Sequence, residues 1–66
     1  MEKIQHKISK YMIQNGITIA HVARMTGIVY EMLRRSLREN RVLTADELVA
    51  ILTSTTINLT DVLKQK

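Results

Sequence analysis

The 66-residue chain has no cysteine, no proline, two glycines and 45% apolar residues. A chain this short buries roughly 60% of the surface its unfolded form exposes, and without thiols it gains neither a disulfide nor a Cys-based metal site. Ten Lys and Arg against six Asp and Glu give a net charge of +4, which favours a polyanionic partner without identifying one.

The longest unbroken apolar run, Leu48 to Leu52, is far below the roughly 20 residues a membrane span requires. Lys3, Lys7 and Lys10 interrupt the N-terminal apolar residues, so no signal-type segment forms. The expectation is one cytoplasmic domain over residues 1–66, with no membrane partner.

The periodicity is helical throughout. Ile4, Ile8, Tyr11 and Met12 share one face of a first helix, about Glu2 to Gln14, which the Asn15 and Gly16 pair stops through a left-handed C-cap. Thr18 is a good N-cap for a short second helix, in which Ile19, Val22 and Ala23 share the inner face until Gly27 breaks the pattern. Tyr30, Leu33 and Leu37 then repeat at three and four residues, with Glu31, Arg34, Arg35, Arg38 and Glu39 in the other directions.

Thr44 and Glu47 have the spacing of a capping box and open a fourth helix, from which Leu48, Ile51 and Leu52 face inward. The run Thr53 to Thr56, mostly β-branched, stops it. Asn58 caps a last short helix whose Leu59, Val62 and Leu63 return to the core. Five helices and no strands are expected, an all-α compact five-helix bundle.

The stretch Thr18 to Arg41 carries the functional signal. Ala23 is small enough for two helices to cross closely at a steep angle, Gly27 supplies the positive φ of a short reversal, and Leu33 holds the second helix on the first. At about 100° per residue, Arg34, Arg35 and Arg38 fall within an arc of about 100° that includes Glu31, opposite Leu33 and Leu37. Arg34 and Arg38 repel each other at i,i+4, so helix stability does not account for the cluster, whereas a phosphate backbone would neutralise it. An exposed Arg near the start of such a helix also matches guanine O6 and N7 in the major groove. The competing account is a solvated ladder in which Glu31, Arg35 and Glu39 pair at successive i,i+4 positions.

The order Gly16-Ile17-Thr18, Val22-Ala23, Gly27-Ile28, Leu33 and Ile57-Asn58-Leu59-Thr60-Asp61-Val62-Leu63 resembles the Cro and phage-repressor type of helix-turn-helix domain, the XRE family. The resemblance covers Gly16 to about Leu63. It implies a lambda-repressor-like fold with its helix-turn-helix at about residues 18–39, and a sequence-specific transcriptional regulator of phage or mobile-element type whose third helix enters the major groove of operator DNA. Carried over by position, Tyr30, Glu31, Arg34 and Arg35 become base-reading candidates, and Thr18, Arg38, Asn40 and Arg41 backbone-contact candidates. Tyr30 suits a thymine methyl and Glu31 a cytosine amine. The chain departs from the family's usual pattern at Ile19, where Gln is common, at Val29, where Ser or Thr is common, and near Glu39 and Thr56, where Gly is common.

Other classes fit less well. The chain is too short for a deep cleft, and its potential catalytic groups are scattered, so no enzyme is expected. His6 and His21 are the only histidines and lack metal-ligand spacing, so neither metal nor cofactor is expected. The alternative is a helix-turn-helix scaffold acting through a protein partner, as in antitoxins, antirepressors and inhibitors of host enzymes, with Tyr30 and Met32 at the contact. The family's operators are usually palindromic, which implies a homodimer reading half-sites about 34 Å apart, with residues 57–63 as its contact. Without a ligand domain, regulation is expected to act through concentration, degradation, dimerisation or a partner.

Overall fold

The computed structural model describes residues 3–64. Five helices follow in chain order: α1 (Ile4–Gln14), α2 (Ile19–Thr26), α3 (Tyr30–Arg38), α4 (Ala45–Ser54) and α5 (Leu59–Lys64). Glu2, the expected first residue of helix one, lies outside the described residues. Among those described there is no strand.

The helix ends have identifiable chemical causes. α1 stops at Gly16, whose φ of 68° lets Ile17 N donate back to Met12 O at 2.8 Å and Gly16 N to Ile13 O at 3.4 Å, the paired reversal that satisfies terminal carbonyls. Thr18 Oγ1 accepts from His21 N at 3.1 Å and caps α2. Thr44 and Glu47 form the expected capping box at the start of α4. α4 ends within the β-branched run, where Thr55 Oγ1 donates to Ile51 O at 2.6 Å and accepts from Ile57 N at 3.2 Å. Asn58 Oδ1 accepts from Thr60 N at 2.8 Å at the head of α5.

Every helix contributes to one core: Ile8 and Met12 from α1, Val22 from α2, Leu33 and Leu37 from α3, Ile51 from α4 and Val62 from α5, with Leu43 and Ile57 from the connections. α3 packs on α1 and α2, α2 also meets α4, and α5 lies on α1. Ile4, Tyr11, Ile19, Ala23, Leu48 and Leu52 are only partly buried and flank this core.

Two apolar expectations are corrected. Of Leu59, Val62 and Leu63, only Val62 is buried, while Leu59 and Leu63 are 38% and 54% exposed; the connection residue Ile57, fully packed at 2% exposure, takes the inner position ahead of so short a helix. Tyr30, expected on the same stripe as Leu33 and Leu37, is 48% exposed.

The connection from α3 to α4 is fastened from both sides. Gln5, buried on α1, donates through Nε2 to Arg41 O at 3.1 Å, and His6 Nε2 donates to Glu39 O at 2.9 Å. Arg41 Nη1 donates to Ser36 Oγ at 2.7 Å, and its two terminal nitrogens take the two oxygens of Glu47 at 3.0 Å each. Glu47 Oε1 also accepts from Thr44 N at 3.0 Å. With side-chain exposures of 25% and 15%, this bidentate pair is shielded from much of the solvent screening that weakens surface pairs.

Arg41, above all, and the Thr44 amide hold the Glu47 carboxyl below its ordinary value of 4.5. A carboxyl with a depressed folded-state pKa contributes stability that is complete above the unfolded value and lost as pH falls through the folded one. Urea denaturation is expected to show stability falling below about pH 4.5, with part of that fall absent in Glu47→Gln. Arg41→Ala, which leaves a half-buried carboxylate without its main partner, is expected to lower the unfolding free energy at neutral pH by about 1–3 kcal/mol.

Candidate nucleic-acid interface

α2 and α3 are joined by a reversal of three residues. Gly27 makes it possible with a φ of 78°, a value that L side chains rarely adopt, and Gly27 N donates to Ala23 O at 2.9 Å. Thr26 Oγ1 donates to Val22 O at 2.8 Å and accepts from Ile28 N at 3.3 Å, which ties the turn to the end of α2. Val22 and Leu33 are fully buried, so α3 is held on α2 by side chains on either side of the turn. Ala23 is partly buried against the same cluster. Val29 precedes α3 without a side-chain cap, as its lack of a polar atom requires.

Burial of Leu33, Ser36 and Leu37 fixes the rotation of α3 about its axis. Tyr30, Glu31, Met32, Arg35 and Arg38 are consequently exposed, and Arg34 lies at the edge of the buried face. Thr18, at the head of α2, and Asn40, just after α3, are also exposed.

The arginines on this surface are not equivalent. Arg34 lies between two carboxylates: Nη1 is 2.8 Å from Glu39 Oε2, and Nε donates to Glu31 Oε1 at 3.2 Å. The ladder of the competing account, with Arg35 bridging Glu31 and Glu39, is replaced by one centred on Arg34. Glu39 caps α3 with φ −123° and ψ −148°, so its backbone has left the helix and its side chain no longer projects along the i,i+4 row toward Arg35. Arg35 keeps a longer contact, Nε to Glu31 Oε1 at 3.5 Å, and is 59% exposed. Arg34 and, secondarily, Arg35 pull the Glu31 carboxyl below its ordinary value, and Glu31 and Glu39 raise the Arg34 guanidinium further. Arg38 has no carboxylate partner among the described residues.

Arg41 stands apart from this group. Its guanidinium, expected as a backbone contact, bonds Ser36 and Glu47, so it takes part in the fastening of α3 to α4. Three polar residues outside the expected site, Gln5, Ser9 and Ser36, are buried. Their signal is positional: each lies within the apolar stripe of its helix, Gln5 and Ser9 beside Ile8 and Met12, and Ser36 between Leu33 and Leu37. A polar group in a core stripe needs a partner.

The geometry is that of a helix-turn-helix with a braced second helix and a cationic outer face. Comparison with known families agrees: the model of the Cro/C1-type HTH DNA-binding domain matches residues 7–66, and the chain belongs to that family. No curated protein and no solved structure matches it. Among the described residues no helix is long and apolar enough to cross a membrane, and no three His, Cys, Asp or Glu side chains gather where they could hold a metal.

The pairing of Arg34 has a measurable consequence for a DNA-binding domain. Glu39→Gln removes one of its two carboxylates and one negative charge beside the α3 face. The variant is expected to bind duplex DNA severalfold more tightly, with a steeper dependence on salt; a filter-binding titration over a range of salt concentrations checks both.

Proposed function

We propose that the protein is a sequence-specific transcriptional regulator that inserts α3 into the major groove of operator DNA. The observation that carries this reading is the division of α3 into a buried face of Leu33, Ser36 and Leu37 and an outer face that presents Arg35 and Arg38, the latter without a carboxylate partner among the described residues. In this reading Arg38, Thr18 and Asn40 contact the phosphate backbone and set the register. Tyr30, Glu31, Arg34 and Arg35 meet base edges, Arg35 with the freest guanidinium of the two arginines in that set. Arg34 is steered by its carboxylates, and releasing Glu39 is part of its binding step.

The salt dependence of DNA affinity tests these assignments. Arg38→Ala is expected to reduce the log–log slope by about 0.9 on duplex DNA, the value for one phosphate contact. Arg35→Ala is expected to cost about 1–3 kcal/mol on the preferred sequence and to relax discrimination at one base pair. If both variants keep the affinity and the slope of the parent, the assignment fails.

The protein is further proposed to read a two-fold operator as a homodimer. Leu59 and Leu63 stand one turn apart on α5, and both are exposed, an arrangement that suits a self-complementary contact near the described C-terminal end. The described body measures 28 × 23 × 20 Å, commensurate with half-sites about 34 Å apart. Leu63→Asp is expected to shift sedimentation at micromolar concentration toward the monomer and to lower affinity for a palindromic duplex more than for a half-site. Equal sedimentation of parent and variant would exclude this contact.

One observation favours a second reading. Val29, Tyr30 and Met32 are 61%, 48% and 41% exposed at the reading end of α3, and such side chains also suit a protein partner. An assembly through that apolar edge would respond far less to salt than DNA binding does.

A further inference from the structure

A cavity of about 280 Å³ lies between the C-terminal half of α1, the head of α2 and one side of α3. Met12, Ile13, Ile17 and Ile19 give it an aliphatic wall. Tyr30 and Arg38 line it from α3 and, being eight positions apart, mark off about 12 Å along the helix axis. It is a small, half-open cleft whose lining is divided between aliphatic side chains and the polar Ser9, Thr18, Tyr30 and Arg38, the mixture that an amphipathic small molecule requires.

Independent polar features meet there. Ser9 lines the cavity, is 9% exposed, and its hydroxyl has no hydrogen-bond partner among the described residues, which leaves its proton to donate to a molecule held there. Arg38 brings a guanidinium with no carboxylate partner among the described residues. Thr18 accepts from His21 N and keeps its own hydroxyl proton to donate, at a helix start whose first amides lack intrahelical acceptors.

We infer that this cavity binds a small amphipathic anion, an aliphatic carboxylate of medium length. The chain lies along Met12, Ile13, Ile17 and Ile19; the carboxylate takes the Arg38 guanidinium, and Ser9 and Thr18 donate to it. Each half of the ligand answers one half of the site. Inorganic phosphate would leave the aliphatic wall in water, and a neutral alcohol would leave Arg38 without a counter-charge. Arg38 is also the phosphate contact proposed above, but the test needs no DNA, so its outcome is separate from that of the DNA reading.

The experiment titrates the isotope-labelled full chain with sodium octanoate below its micelle-forming range, with octan-1-ol and inorganic phosphate as parallel probes, and follows amide and arginine side-chain NMR shifts. Octanoate is expected to give saturable shifts at residues 17–20 and at the Arg38 side chain, with a Kd at least about tenfold lower than either other probe. Arg38→Gln is expected to raise the octanoate Kd about tenfold, toward that of octan-1-ol. Ala20→Glu, which sets a negative charge on the cavity lining, is expected to abolish the shifts. Arg38 and Ala20 are both exposed, and dispersed amide spectra of the variants verify that they fold. Absence of saturable shifts, an equal response to octan-1-ol or phosphate, or an unchanged octanoate Kd in Arg38→Gln would overturn the inference.

Discussion

The insertion of Leu33 and Leu37 into the common core fixes α3, and with it every outward-facing side chain of that helix. A helix of nine residues has little stability of its own, and its orientation is set by what it buries. Leu33 is fully enclosed and Leu37 nearly so, contributions of about 1.5–3 kcal/mol each. Once those side chains are placed, the helical repeat decides where the others point. Arg35 and Arg38 face outward because Leu33 and Leu37 face inward, and the domain presents charge without any further element to direct it.

The same constraint explains why cations close together in sequence do different work. Arg34, beside the buried face, is enclosed by Glu31 and by Glu39, whose backbone has already left the helix. Arg41, beyond the helix end, turns inward to Ser36 and Glu47 and ties α3 to the head of α4. Arg38 has no such partner among the described residues. The arginines of this region are thus divided between Arg34 and Arg41, held by carboxylates within the fold, and Arg35 and Arg38, which face outward where an anion can meet them.

Much of the architecture was legible in the chain itself. Thr18, the Thr44 and Glu47 pair, Asn58 and the two glycines act locally, through side chains and φ values within a few residues, so the helix boundaries follow from nearest neighbours. The pairing of charges was not legible, because Arg41 and Glu47 meet across a connection and Glu39 reaches Arg34 only after the helix has ended. The burial of residues 59–63 was legible only in part: period alone cannot tell which of three apolar residues on a six-residue helix touches the body. The cavity beside Ser9 joins three helices, and no local pattern marks it.

If α3 is the DNA-reading element proposed above, its outward face, fixed by the burial of Leu33 and Leu37, meets the duplex. Arginine side-chain NMR signals followed while a duplex is added decide the matter, because each guanidinium reports separately. Arg35 and Arg38 are expected to shift first, while Arg41, bound to Glu47, stays in place. Movement concentrated at Arg41, or at α5 with α3 unmoved, would contradict it.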